Sequence, residues 1–245
     1  TTVAPWVGGI PEGGERVYRL HLPMYAAVER VAVGVPIGRS LSGSSLFLGQ
    51  KPVVWYGTSI TQGGVVPRPG RAYTNVISRA LNLEVINMGF CGSGRMEASV
   101  GAYISLIDAA AFVIDCDWNM TPDEIANSTG PLVAQLRAAH PVTPIVLAEG
   151  SDWRKSWLVA DTEFHVDARR AALAAASDAL VAAGDEHLYL VQGKELYERT
   201  DADPTFNSVH PSDTGHAEIA AYYTNFLPRL FNASAAAPDL DLDLD

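Results

Sequence analysis

The sequence is poor in cysteine and in basic residues, and it has no long apolar run. Its 245 residues include two cysteines, Cys91 and Cys116, so a disulfide framework is excluded and redox chemistry does not fix the compartment. No apolar stretch approaches the roughly 18 residues that span a bilayer, and the chain does not begin with a basic segment followed by an apolar one. Lys and Arg number 17 against 28 Asp and Glu, a net charge of −11 that argues against sequence-independent binding to nucleic acid. We expect a soluble protein, cytoplasmic or secreted after processing, with neither a nucleic-acid nor a membrane partner; the composition does not predict its oligomeric state.

The rest of the composition is that of a globular protein with one sizeable core, since 48% of the residues are hydrophobic and 18% are charged. From about Pro52 onward, short apolar runs alternate with longer helical patterns, which is typical of βαβ units. The patterns predict strands over residues 53–56, 84–87, 111–115, 144–148 and 188–191, and helices over 72–81, 96–109, 122–139, 164–183 and 212–231. With right-handed crossovers, these elements form an α/β fold, a three-layer α/β/α sandwich around a five-stranded parallel sheet.

The first fifty residues have a different pattern. Residues 17–22 and 28–35 alternate apolar with polar positions, as half-buried antiparallel strands do. Two such strands are too few for an independent domain. We therefore predict a short antiparallel β segment over residues 1–50, either packed on the α/β body or left from a larger β-sandwich, followed by the main domain over 51–231. The acidic residues 232–245 predict a disordered tail.

Ser59 lies in a glycine-flanked turn directly after the first predicted strand of the main domain. A serine at the carboxyl end of a parallel strand faces the crevice in which open α/β sheets bind ligands. Gly57, Gly63 and Gly64 allow the backbone to turn sharply around it. The turn therefore marks Ser59 as a candidate nucleophile, although an ordinary strand-to-helix loop would have the same pattern.

Three later segments fall at the ends of predicted strands and supply the other groups of an acyl-transfer site. Residues 87–95 contain Gly89, Gly92 and Gly94, whose backbone N–H groups could approach a ligand closely. Residues 115–120 carry the amide of Asn119, and residues 207–216 place His210 on the loop before the last helix. A serine, a backbone N–H, an amide donor and a histidine together can attack a carbonyl and stabilise the oxyanion that forms.

Taken in this order, Ser59, Gly92, Asn119 and His210 resemble the four sequence blocks of the SGNH or GDSL hydrolase superfamily, the GDSL-like lipases and acylhydrolases. The resemblance spans about residues 51–230 and implies the flavodoxin-like SGNH fold. The sequences of residues 56–64 and 87–97 are similar to those of a subgroup that carries an N-terminal β-sandwich and includes esterases and a salicylyl acyltransferase. The resemblance implies that Ser59 is the nucleophile and His210 its general base. It also implies an oxyanion hole formed by the N–H groups of Ser59 and Gly92 and the Asn119 amide. The implied activity is hydrolysis of a small-molecule carboxylic ester through an acyl-enzyme, or acyl transfer to another acceptor, with no cofactor and no metal.

One position departs from the superfamily pattern Asp-x-x-His-Pro, because Asn207 stands where the aspartate is expected. In a serine protease the same change lowers kcat about 10⁴-fold. Three explanations compete: a Ser–His dyad assisted by Asn207 or by a backbone carbonyl, a substitute carboxylate from Asp203 or Asp213, or a weakened, non-catalytic ligand-binding chain. We favour the dyad assisted by Asn207.

Asp213 and His216 offer a rival Asp-x-x-His pair on the same loop. Their position in the first turn of the last predicted helix has a simpler interpretation, an acidic residue favoured by the helix dipole and a histidine on the helix surface. His210, Asp213 and His216 could also suggest a metal site, but that interpretation leaves the Ser59, Gly92 and Asn119 blocks unexplained.

Other residues near the predicted crevice carry less specific signals. The tryptophans could line an acyl pocket or simply pack in the core; they are Trp118, Trp153 and Trp157. The arginines could bind an acidic substrate group or be solvated; they are Arg68, Arg71 and Arg95. Both cysteines, Cys91 and Cys116, are expected to be buried structural thiols.

Overall fold

The strands of the sheet form where short runs of apolar residues alternate their side chains between two buried faces. In a computed structural model of the chain, which describes residues 16–44, 47, 49–152, 165–197 and 203–231, five strands pair in parallel in the order β2-β1-β3-β4-β5. They are β1 (Val53–Gly57), β2 (Val85–Gly89), β3 (Ala111–Asp115), β4 (Ile145–Ala148) and β5 (Leu188–Val191). The α/β class, the parallel sheet and the number of strands predicted from the sequence are confirmed.

Six α-helices cover the two faces of the sheet within the described ranges. They are α1 (Ser59–Gln62), α2 (Tyr73–Ala80), α3 (Ala98–Ile104), α4 (Pro122–Ala139), α5 (Val166–Ala182) and α6 (Asp213–Phe231). Residues of α3, α4 and α5 pack with Val54, Tyr56 and Phe112, whereas residues of α1, α2 and α6 pack with Val53 and Trp55. Because neighbouring residues of one strand point to opposite faces, the alternation along β1 gives each layer of helices its own core.

The antiparallel strands predicted over 17–22 and 28–35 are not formed. The structure has no strand between residues 16 and 44, and many apolar side chains there are exposed, Val17 and Val33 by more than half. The alternating pattern is present in the sequence, but a strand also needs a hydrogen-bonded neighbour, and these residues pair with none in the described part of the chain. That residues 1–50 derive from a β-sandwich stays a prediction, and the tail over 232–245 lies outside the described residues.

One predicted helix is shorter than expected, and one observed helix was not predicted. The helix predicted over 96–109 is limited to α3 because Met96 has a φ of +58° and Glu97 is extended, so the helix cannot begin before Ala98. The four-residue α1 was not predicted, since one turn is too short to show a periodic pattern. Across the described ranges, no helix combines the length and the apolar character needed to cross a membrane.

Candidate active site

The candidate site lies where the direction of the sheet connections reverses. β1 pairs with β2 on one side and with β3 on the other, so the chain leaves β1 toward one edge of the sheet and later crosses back. In open α/β sheets, ligands bind outside the carboxyl ends of the strands at such a point. Ser59 follows β1 by two residues, the Gly92 loop follows β2 and Asn119 follows β3, so all three segments meet at this edge.

Ser59 is the first residue of α1, and both ends of this single turn are capped. The Thr58 hydroxyl accepts a hydrogen bond from the Ile60 N–H at 3.3 Å, and Gly63 ends the helix with a φ of +99°. Among the described residues, the Ser59 N–H has no hydrogen-bond acceptor, as expected for the first N–H of a helix. The Ser59 side chain is almost buried, and its Oγ lies 2.9 Å from Nε2 of His210. The pair of residues predicted from the sequence is therefore in contact.

Asn207 determines which nitrogen of His210 carries the proton. Its Oδ1 accepts hydrogen bonds from the backbone N–H groups of His210 at 2.9 Å and Val209 at 3.3 Å, so the oxygen, not the NH₂ group, must face that side. The same Oδ1 lies 3.2 Å from Nδ1 of His210. Nδ1 must therefore donate, which leaves Nε2 as the acceptor that faces the Ser59 hydroxyl. Burial lowers the pKa of His210, so the ring is neutral at neutral pH.

The carboxylates proposed as substitutes for the missing aspartate have other partners. Asp203 accepts hydrogen bonds from the N–H and the hydroxyl of Thr205, at 2.9 and 2.7 Å. Asp213 forms a bidentate ion pair with Arg71, with both N···O distances 2.8 Å. Within the described part of the chain, no carboxylate lies within hydrogen-bonding distance of His210. Of the three explanations for Asn207, the geometry favours the dyad that it assists.

His216 belongs to the core and not to the helix surface, so its expected surface position is wrong. Its side chain is fully buried and stacks on Tyr73 with 5.8 Å between ring centroids. The Tyr73 N–H lies 3.4 Å from Nδ1 and donates to it, so Nε2 carries the proton and donates to the Gly64 carbonyl at 3.2 Å. Burial lowers the pKa of His216 to about 4, which keeps the ring neutral. The described residues contain no group of three or more His, Cys, Asp or Glu side chains arranged to hold a metal ion.

The loop after β2, residues 90–94, is held by backbone contacts against Gly57, which precedes the turn that carries Ser59. The Phe90 N–H donates to the Gly57 carbonyl at 2.9 Å, and a Cβ at Gly94 would lie 2.1 Å from that same carbonyl oxygen. Gly92 has a φ of +68°, and its N–H has no acceptor among the described residues. The loop thus has two glycines for two reasons: close approach at Gly94 and a left-handed backbone at Gly92.

Asn119 fastens this loop to the end of β3. It ends a short 3₁₀ turn, residues 117–119, and its amide NH₂ donates to the carbonyl oxygens of Phe90 at 3.2 Å and Gly94 at 3.1 Å. Both amide hydrogens are therefore donated to the loop in this state. The contacts put Asn119 beside the Gly92 loop, as its predicted role requires, but that role also requires one of these hydrogens to reach a substrate oxygen.

Exchanging the two loop glycines for alanine should have unequal effects. In Gly94→Ala the methyl group would collide with the Gly57 carbonyl, so the loop must move away from the turn that carries Ser59; we expect a large fall in Tm and loss of any ester turnover. Gly92→Ala meets no atom within 4 Å and adds only the cost of a left-handed alanine, about 1–2 kcal/mol. Thermal unfolding and ester turnover of both variants test this difference, which equal losses of Tm would contradict.

A buried hydrogen-bond network under α1 was not predicted from the sequence. Asp115, the last residue of β3, accepts hydrogen bonds from the hydroxyls of Thr61 at 2.8 Å and Tyr73 at 3.0 Å. Burial, then the charge of Asp117, raises the pKa of Asp115 to about 7. Thr61 lies two residues after Ser59 in α1, so the network anchors the helical turn that carries Ser59. No local pattern could have indicated it, because its members come from three elements.

Gln62 and Tyr25 were also missed. The Gln62 amide donates to the Met24 carbonyl at 2.9 Å and accepts from the Cys91 N–H at 2.9 Å, so it links the N-terminal segment to the loop of Gly92. The Tyr25 hydroxyl donates to the Ser59 carbonyl at 3.2 Å. These contacts join residues far apart in the chain, and single-sequence reasoning has no signal for them.

Among the weaker candidates, the structure shows the surroundings of two arginines and both cysteines. Arg71 and Arg95 form ion pairs with Asp213 and Glu124, which favours a structural role over binding of an acidic substrate group. Cys116 is buried as expected, whereas Cys91 is exposed, so the prediction for Cys91 is wrong. Trp153 and Trp157 lie outside the described residues.

Neither of two cavities found beside the sheet is lined by Ser59 or His210. A cavity of about 350 Å³ is lined by residues such as Arg137, Leu180 and His187, near the amino ends of β4 and β5 and so opposite to Ser59. The second, of about 10 Å³, lies under α1 between Ile60 and Asp115 and has room for about one water molecule.

Comparisons with known proteins agree with this geometry. Residues 50–228 match the model of the GDSL-like Lipase/Acylhydrolase family. A protein described as a GDSL-like lipase from Bacteroides ovatus is 30% identical, with a TM-score of 0.72 over 80% of this chain and 57% of that one. The salicylyl-acyltransferase SsfX3 from a tetracycline biosynthetic pathway is 21% identical, with a TM-score of 0.64 over 76% of this chain and 56% of that one, and shows the same fold.

A family two carbohydrate esterase from Clostridium thermocellum also shares the fold, with 15% identity and a TM-score of 0.57 over 73% of this chain and 63% of that one. No match was found among curated proteins. The chain spans a little over half the length of the first two structures. Because the family model covers most of the chain, including the segments of Ser59, Gly92, Asn119 and His210, the protein belongs to the GDSL-like lipase/acylhydrolase family.

Proposed function

We propose that the protein is a serine esterase that cleaves carboxylic esters through an acyl-enzyme on Ser59. The observation that carries the proposal is the 2.9 Å contact between Ser59 Oγ and His210 Nε2, at the carboxyl edge of a parallel sheet. A serine hydroxyl is a poor nucleophile until a base takes its proton. His210 is neutral, its Nε2 is free of a proton and it faces the hydroxyl, so it meets the requirements for a general base.

The reaction begins when Ser59 Oγ attacks the ester carbonyl while its proton passes to His210 Nε2. The C–O bond to the alcohol then breaks, and His210 returns the proton to the leaving oxygen, so the acyl group stays on Ser59. A water molecule, activated in the same way, releases the acid and restores the serine. An alcohol in place of that water would make the same protein an acyltransferase.

The oxyanion that forms in each step needs donors fixed in place. We assign this role to the N–H groups of Ser59 and Gly92, which have no acceptor among the described residues, and to the Asn119 amide. Each such donor typically contributes a factor of about 10²–10³ to kcat. Asn119 must release or share one of its two backbone acceptors, Phe90 or Gly94, to act as the third donor.

Asn207 supplies the orientation of the usual aspartate but not its charge. In a serine protease, kcat falls when the aspartate is changed to asparagine because the histidine then takes the wrong tautomer. Here two backbone N–H groups hold Oδ1 of Asn207 toward the ring, so the productive tautomer is retained. What is lost is stabilisation of the imidazolium ion that forms when His210 takes the proton.

Asn207→Asp is therefore expected to raise kcat by about tenfold and to move the acidic limb of the pH–rate profile to higher pH. The carboxylate favours the charged imidazolium, which raises the pKa of His210, and the base is active only above that pKa. In the unchanged protein, burial lowers this pKa, so activity should persist below pH 6.5. Measurement of kcat between pH 4 and 9 for both proteins checks this; no change in either quantity would mean that charge at this position does not limit the reaction.

Labelling with an organophosphonate tests the proposal directly, because this probe reacts with an activated serine. We expect one phosphonate per chain, attached to Ser59 and identified by mass spectrometry, with parallel loss of p-nitrophenyl acetate hydrolysis. A chain that only binds its ligand would remain unlabelled, and that result would overturn the proposal. Repeating the hydrolysis with a competing alcohol separates hydrolysis from transfer, since transfer yields the new ester.

A further inference from the structure

The N-terminal segment delivers an aromatic side chain to Ser59. Residues 19–25 lie along α2: Arg19 Nη1 contacts the Ser78 hydroxyl at 3.4 Å, and His21 Nε2 contacts Arg79 Nη1 at 3.2 Å. At the end of this path, the Met24 carbonyl accepts the hydrogen bond from Gln62. The segment is thus fixed at three places before it reaches Tyr25, although it contains no strand or helix.

The hydroxyl of Tyr25 is held by a hydrogen bond, while its ring is exposed to solvent. The hydroxyl donates to the Ser59 carbonyl at 3.2 Å, and burial together with nearby Cys91 raises its pKa to about 12, so it keeps its proton. The side chain is nevertheless 55% exposed. Its hydroxyl and Cδ2 of His210 both lie within 3.3 Å of the place where a Cβ at Gly64 would be. Tyr25 and His210 therefore flank the same glycine beside the nucleophile.

Two more exposed aromatic rings belong to the segments that carry the site. Phe90 is 38% exposed, and its backbone binds both Gly57 and Asn119. Phe206 is 72% exposed, and its N–H donates to the His210 carbonyl at 2.8 Å. Aromatic side chains usually bury most of their surface, so three exposed rings, on the N-terminal segment, the Gly92 loop and the His210 loop, mark a surface for an apolar ligand.

We propose that Tyr25 is a specificity-determining residue that binds a flat, ring-shaped part of the ester substrate beside Ser59. The inference rests on the proposed esterase activity and deepens it. The shared chemistry of such substrates is a ring with an apolar face, which can lie in the acyl group or in the alcohol. The ring of Tyr25 supplies the contact surface, while its hydroxyl and the Met24–Gln62 hydrogen bond hold that surface in place.

Three esters separate the possibilities: methyl acetate has no ring, methyl benzoate has a ring in the acyl group, and phenyl acetate has one in the alcohol. For Tyr25→Ala we expect kcat/KM to fall at least tenfold for one of the ring-bearing esters, mainly through KM, and less than twofold for methyl acetate. Tyr25→Phe keeps the ring and should stay within threefold for all three. Tyr18→Ala removes another exposed tyrosine of the same segment and is the matched control.

Equal losses on all three esters, or no loss on the ring-bearing ones, would overturn the proposal. Failure of the esterase itself is detected separately, by absence of hydrolysis and of phosphonate labelling in the unchanged protein. Binding of methyl benzoate and phenyl acetate to Ser59→Ala, followed by saturation-transfer NMR, gives a readout that needs no turnover. In the double variant that carries both Ser59→Ala and Tyr25→Ala, the saturation-transfer signal of the preferred ester should disappear. An unchanged signal would also overturn the inference.

Discussion

Ser59→Ala is expected to lower kcat for p-nitrophenyl acetate by at least about 10³-fold without a matching loss of stability. Alanine removes the attacking oxygen but keeps the helix turn, since the caps of α1 come from Thr58 and Gly63. Removal of one catalytic group from a comparable Ser–His–Asp site lowers kcat by several orders of magnitude, and the remaining donors account for the residual rate. Steady-state kinetics and thermal unfolding of the variant measure the two quantities.

The control for this change is Ser105→Ala at the C-terminal end of α3, where the hydroxyl donates to the Ala102 carbonyl at 2.9 Å. It should leave kcat unchanged. If Ser59→Ala kept more than a tenth of the activity at normal KM, the nucleophile would have to be another group.

His210→Ala and His216→Ala should have opposite effects on activity and stability. Loss of His210 removes the base, and we expect kcat to fall at least about 10³-fold with little change in Tm, because the ring is only half-buried. Loss of His216 opens a cavity in the core and leaves the Gly64 carbonyl without its donor, which should cost about 2–4 kcal/mol of unfolding free energy. Kinetics at a temperature where both variants are folded, together with urea unfolding, distinguish the two.

The conservative change His216→Gln tests the second half of this prediction, since a glutamine amide can still donate to the Gly64 carbonyl. It should recover part of the lost stability. A large fall in kcat for His216→Ala at full folding, with His210→Ala still active, would mean that the rival pair Asp213 and His216 is the catalytic one.

The α/β body could be predicted from the sequence because its elements are specified locally. β3, β5 and α4 begin and end at the predicted residues, since short apolar runs and a Thr121–Glu124 capping box mark their limits. The segment over 16–44 could not be predicted in this way. Its alternating pattern is a strand pattern, but strand formation depends on a partner that a pattern in one segment cannot supply.

The proximity of Ser59, the Gly92 loop and Asn119 was also predictable, because each follows a strand, and parallel strands bring their carboxyl ends to one edge. The supporting contacts were not. Tyr25, Gln62 and the network of Asp115 with Thr61 and Tyr73 depend on side chains that meet across distant segments. Asn207 could be read from the sequence, but the protonation of His210 could not, since the tautomer follows from the two backbone N–H groups that turn Oδ1 of Asn207 toward the ring.

We expect Gln62 to couple the ordering of the N-terminal segment to that of the Gly92 loop. One amide group binds the Met24 carbonyl on one side and the Cys91 N–H on the other, so ordering of either partner lowers the entropy cost of ordering the other. By reciprocity, an inhibitor that occupies the oxyanion site should protect residues 16–44 from proteases, and cleavage within that segment should weaken the inhibitor by the same factor. The segment would then report on the occupancy of a site that it helps to hold.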